Sequence, residues 1–116
     1  MADVSEVVLN ELVIFVLERV SVNRVETIEK LVSYLQKQKV QEIGIFGSFA
    51  RNEMNANSDI DVLVEYSRGT TILDIVKMKQ DLFSLLGRKV DLVSKRAVRK
   101  QIMENIKNDL QTVYHA

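Results

Sequence analysis

Apolar side chains recur at helical spacing in three stretches of the chain. Val25, Ile28, Val32 and Leu35 share one helix face, as do Ile75, Met78, Leu82 and Leu85, and later Val98, Ile102, Ile106 and Leu110. Each stripe is expected to face a core. Asp3 with Glu6, Asn23 with Glu26 and Thr71 with Asp74 set a capping oxygen three residues ahead of an acid and mark three helix starts. Gly69-Thr70-Thr71 reads as the end of a loop leading into the last of these. Leu12 to Leu17 is an unbroken apolar run that a buried strand would also explain. Its flanks favour a helix whose apolar surface exceeds one face, so that it lies under the domain or docks against a partner.

Strands are expected near Glu42 to Phe46, Asp59 to Glu65 and Lys89 to Val93. Alternation of strands with helices predicts an α/β (α+β) domain, a small mixed sheet flanked by helices. With no proline, repeat or low-complexity run to mark a linker, residues 1–116 read as a single domain, 1–22 as a helical N-terminal extension and 23–116 as the core.

Composition narrows the function. Sixteen basic and sixteen acidic residues cancel, which argues against the basic surface that nucleic-acid binding needs. The absence of cysteine removes disulfides, thiolate metal sites and a thiol nucleophile. No signal peptide or membrane-spanning run is evident, so the cytoplasm is the expected compartment. At 116 residues the chain has no room for a second, substrate-gripping domain, and an acceptor must be small or bring its own scaffold.

The chemistry is concentrated in two short stretches. Ile43-Gly44-Ile45-Phe46 runs into Gly47-Ser48-Phe49-Ala50-Arg51, and Ser58-Asp59-Ile60-Asp61 opens the next strand. Strand side chains alternate, so Asp59 and Asp61 point one way while Ile60, Val62 and Val64 point into a core. Crowded carboxylates repel unless a cation sits between them, and hard oxygen donors suit magnesium or manganese. Gly47 lets the backbone approach a phosphate, and Ser48 adds a hydroxyl donor at what reads as a helix N-terminus. Arg51, about one helical turn on, either pairs with a phosphate or pins its helix to a nearby carboxylate. Asp91 alternates with Val90 and Leu92, so its face can match that of Asp59 and Asp61; the alternative is an ordinary surface aspartate. Glu65 shares their parity but lies too far along to be a ligand. Lys95, Arg96, Arg99 and Lys100 read as a solvated basic face or a contact for nucleotide or an acidic partner. His115 lies where terminal disorder is expected rather than catalysis. Tyr66, just past the acid-bearing strand, could border a nucleotide pocket.

These residues resemble the minimal nucleotidyltransferases of the DNA polymerase beta superfamily, small domains found beside HEPN proteins as toxin-antitoxin pairs. The resemblance runs from about Thr27 to Tyr114 through the Gly47-Ser48-Phe49-Ala50-Arg51 turn, the Ser58-Asp59-Ile60-Asp61 strand and Gly87-Arg88-Lys89-Val90-Asp91-Leu92-Val93. One departure is Asn52, where many relatives have glycine, although asparagine tolerates a left-handed backbone. The resemblance implies a polymerase-beta-like fold, with Asp91 completing a metal triad and polarising the attacking hydroxyl. It further implies two Mg2+ ions and ATP, and an antitoxin role in which AMP passes to a HEPN toxin, on a tyrosine hydroxyl. Two other readings stay open: silencing of a partner by occlusion alone, and nucleotidylation of a small molecule. Homo- or hetero-oligomers fit any of them.

Overall fold

The structure of the chain, a computed structural model, describes residues 24–54 and 58–116. Helix α1 covers residues 24–37. It is followed by β1 (Glu42–Phe46), α2 (Gly47–Ala50), β2 (Ile60–Glu65), α3 (Ile72–Leu86), β3 (Val90–Ser94), α4 (Lys100–Lys107) and β4 (Gln111–His115). The strands lie in the order β3-β2-β1-β4. β1 runs antiparallel to both β2 and β4, whereas β2 and β3 are parallel and joined by the α3 crossover. This is the mixed sheet expected from the alternation of apolar runs.

Strand parity places the core. Ile43 pairs with Val64 and Ile45 with Val62 across β1 and β2, and Ile60 and Val62 pair with Val90 and Leu92 on β3. All seven are buried on one face, where they pack with Leu31 and Leu35 of α1 and Met78 and Leu82 of α3. Truncating such a side chain to alanine costs about 2–5 kcal/mol. The other face carries Gly44, Phe46, Asp61, Leu63 and Asp91. Leu63 and Ile106 are buried here apart from the main cluster. Gly44 has no side chain because a β-carbon there would overlap Leu110.

Thr71 and Asp74 form the expected capping box at the start of α3, with both reciprocal hydrogen bonds present. The strands fall within one residue of their expected bounds, Asp59 lying just ahead of β2 rather than within it. The Asp3 and Asn23 caps, the Leu12 to Leu17 run and the 1–22 extension lie outside the described residues.

Three expectations are corrected. The last apolar stripe is not one helix face: α4 stops at Lys107, Ile102 is 49% exposed, Ile106 alone of the stripe is buried, and Leu110 lies beyond the helix against Gly44. Residues 111–115 form a strand, so His115 pairs with Glu42 rather than trailing off. That strand was hard to read because Val113 and Tyr114 are its only apolar positions and sit side by side, without alternation. Val25 of α1 and Leu85 of α3 are exposed, and Leu86 packs on the core in place of Leu85.

Candidate functional site

Three connections meet at one end of the sheet: the turn after β1, the start of β2 and the start of β3. Phe46 is paired with Asp61, and Asp61 with Asp91, so both carboxylates occupy neighbouring positions on the same face. Asp59 sits two residues ahead of Asp61, its side chain 42% exposed and 3.9 Å from the Lys89 ammonium. At that distance and exposure the pair adds little stability.

Gly47 adopts a left-handed backbone with φ of 70°, and a β-carbon there would overlap the Asp61 carboxylate. The turn and the acid are therefore built against each other. Burial, then the charge of Asp91, then that of Asp59 raise the pKa of Asp61 above the ordinary carboxylate value, with Arg51 opposing. Asp61 thus lies within reach of the charge of both other acids, and an all-oxygen donor set suits a hard divalent cation. Among the described residues no three acid, histidine or cysteine side chains close into a cage. An open arrangement of this kind fits a cation held by one or two carboxylates and completed by phosphate oxygens.

α2 is a single turn with Ser48 as its second residue. Three residues distant in sequence brace it. Arg24 donates to the Phe49 carbonyl at 2.5 Å and to Gln111 at 3.1 Å, with its guanidinium 5.0 Å from the Phe49 ring centre. Gln111 donates to the Ala50 carbonyl at 3.2 Å. These bonds satisfy carbonyls that a helix end leaves open. Arg51 donates to Asp109 at 2.6 Å and to Glu53 at 3.0 Å. In this state it pins α2 to a carboxylate, the second of its two expected roles, while remaining near enough to lower the pKa of Asp61. Arg24, Asp109 and Gln111 had no sequence signal, because their partners lie 25 to 87 residues away. Asn52 takes the left-handed backbone expected of it, with φ of 59°.

Glu65 and part of the basic cluster separate from this end. Glu65 pairs with Arg96 and Glu42 with Lys95 at the opposite end of β2 and β1, so half of the basic cluster is tied to strand acids rather than presented as a free cationic face. Tyr66 packs against the core, and its hydroxyl is buried with no hydrogen-bond partner among the described residues. Burial, then the charge of Asp91, pushes it up to about 12. Among the described residues no helix is long and apolar enough to cross a membrane.

Comparison with known proteins follows the same residues. Residues 29–116 match the family described as polymerase beta, nucleotidyltransferase. The chain is 39% identical over 80 residues to a provisionally named protein adenylyltransferase of Methanocaldococcus jannaschii, covering 69% of this chain and 86% of that one. It is 34% identical over 88 residues to protein adenylyltransferase MntA of Thermococcus cleftensis, covering 69% and 89%. Its fold superimposes with a TM-score of 0.70 on a chain from a crystal structure of a toxin-antitoxin with AMP-PNP, at 25% identity over 77% of this chain and 73% of that one.

Proposed function

Because the chain belongs to the polymerase beta nucleotidyltransferase family, we propose that it is an antitoxin that transfers AMP from ATP to a hydroxyl of a cognate HEPN toxin, on tyrosine. The observation that carries this reading is the register of Phe46, Asp61 and Asp91 with Gly47 turned against Asp61, since it sets a phosphate-approachable backbone beside crowded carboxylates. Relatives named protein adenylyltransferases, and a fold neighbour crystallised as a toxin-antitoxin with AMP-PNP, support the protein acceptor and the adenine nucleotide.

Asp59, Asp61 and Asp91 would hold two Mg2+ ions, with Mn2+ as a substitute. When bound, these ions neutralise charge on the triphosphate and on the departing pyrophosphate. The turn at Gly47 exposes backbone to the terminal phosphates, and the Ser48 hydroxyl donates to one of them. Asp91 accepts a hydrogen bond from the attacking hydroxyl and orients it toward the α-phosphorus. A bond forms from that oxygen to the α-phosphorus as the bond to the β-phosphate oxygen breaks, and the hydroxyl proton passes to the Asp91 carboxylate. Arg51 reaches a phosphate by exchanging Asp109 for it. The compartment we assign to this reaction is the cytoplasm.

The test is the intact mass of a HEPN toxin encoded beside this chain after co-expression. Gain of whole AMP units, lost with Asp61→Asn, supports the proposal. An unmodified toxin held in a tight complex would replace it with occlusion, and labelling of a free small alcohol but not the toxin would replace it with small-molecule transfer.

A further inference from the structure

α2 has little of its own to hold it in place. It is four residues long, Phe46 gives it no side-chain cap, and neither an acid in its first turn nor a base in its last supports it. Forming one turn fixes several backbone angles for a single hydrogen bond, so a lone turn is unfavourable in water. The acids beside it are held differently, since Asp61 and Asp91 sit within the pairing of β2 and β3. Order in this turn has to come from side chains that reach it from elsewhere in the fold.

We propose that Arg24 and Gln111 are positioning residues for triphosphate binding: together they clamp the end of α2 and so set the approach of Gly47 and Ser48 to the phosphates. This rests on the nucleotidyltransferase reading above. The Gln111 amide works in both directions, its oxygen accepting from Arg24 at 3.1 Å and its nitrogen donating to the Ala50 carbonyl at 3.2 Å. Arg24 closes the other arm on the Phe49 carbonyl at 2.5 Å, with its guanidinium over the Phe49 ring. Adjacent carbonyls of one short turn are thus held by two side chains that also hold each other. A cation at the carbonyl end of a helix is favourable, and a fork of N–H donors reaches a carbonyl and an amide at once where an ammonium does not. Both residues are anchored to the sheet: α1 through Leu31 and Leu35 in the core, and Gln111 through its pairing with Ile45. The clamp therefore refers the turn to the same frame that carries the acids. Without it the acids stay in place, the turn is ordered for only part of the time, and triphosphate affinity falls by that fraction.

Amide hydrogen exchange reads the clamp, and calorimetry reads its consequence. The Arg51, Asn52 and Glu53 amides bond back to Gly47, Phe49 and Ser48. In the metal-free full chain, Arg24→Met should speed their exchange about tenfold and leave the amides of Ile60 to Glu65 unchanged. Mg-ATP and Mg-tripolyphosphate should each bind about tenfold more weakly to Arg24→Met, and about threefold more weakly to Arg24→Lys, which keeps the charge and one donor. Gln111→Met keeps the side-chain length without its polar atoms and should weaken both probes severalfold. The double variant should lose less than the product of the two single losses, because both act on the same turn. Unchanged affinity in folded variants, whatever their Tm, would overturn the proposal and leave the clamp a matter of fold stability alone. So would exchange that speeds equally across β2. Should Arg24→Met fail to fold, Arg24→Lys and Gln111→Met carry the same comparison. A wild-type chain that binds neither probe would overturn the nucleotidyltransferase reading itself and the clamp's role with it, whereas a wild type that binds both beside unaffected variants would overturn the clamp alone.

Discussion

Replacing Gly47 by alanine adds one methyl group at the point where the turn meets the acids, and two costs can be separated. The left-handed backbone at φ of 70° costs a non-glycine residue about 1–2 kcal/mol. Overlap of the new β-carbon with the Asp61 carboxylate adds about 1–3 kcal/mol if neither strand nor turn yields freely. Gly47→Ala should thus destabilise the metal-free protein by roughly 2–5 kcal/mol, a fall in Tm on the order of 10 °C for a domain of this size. Asp61→Ala removes the obstructing atoms and leaves the backbone angle untouched. In that background Gly47→Ala should cost only the backbone share, so a double-mutant cycle followed by urea denaturation should return a coupling of about 1–3 kcal/mol. Equal costs in the two backgrounds would refute the claim that the carboxylate excludes a side chain at position 47. A cost well under 1 kcal/mol in both would refute the backbone argument too.

Asp61→Asn should abolish most transfer, at least about a hundredfold, while the metal-free fold holds or gains stability. Because the folded Asp61 pKa is raised, the native state binds its proton more tightly than the unfolded chain. Its contribution is favourable at low pH and declines as pH rises from the ordinary carboxylate value through the raised folded value. Thermal melts across that window should lose this slope in Asp61→Asn, and an unchanged slope would assign the titration elsewhere. Ser48→Ala should weaken triphosphate binding about two- to tenfold, the share of one hydrogen bond, and an ATP titration showing no change would remove the hydroxyl from the site. Tyr66→Phe removes a buried hydroxyl that lacks a partner and should leave Tm unchanged or raise it by up to about 1 kcal/mol equivalent; a clear fall would reveal a bonded hydroxyl.

Local signals carried well. The Thr71 capping box and the three strands that alternate or run apolar are all decided by neighbours within a few positions, and each stands as expected to within a residue. Asn52 did as well, since a left-handed backbone is a property of one residue. The buttress of α2 was illegible for the opposite reason: nothing near Arg24, Asp109 or Gln111 says that they will meet a turn 25 to 61 residues away. β4 hid behind a polar, non-alternating sequence whose stability comes from β1. Leu85 and Ile102 fit helical stripes yet stand exposed, because periodicity identifies a face and not how far along it the neighbouring layer extends.

The pairing of β4 with β1 also gives the protein a timetable. During synthesis β1 and β2 leave the ribosome before residues 111–115, and for that interval β1 keeps one edge unpaired. Gln111, which holds the Ala50 carbonyl, arrives with the same late strand. The nascent chain carries Asp59 and Asp61 before Gln111 but completes the turn beside them late. Closure between segments so far apart in sequence is a slow kind of folding step, so the brace on α2 is among the last parts of the fold to form.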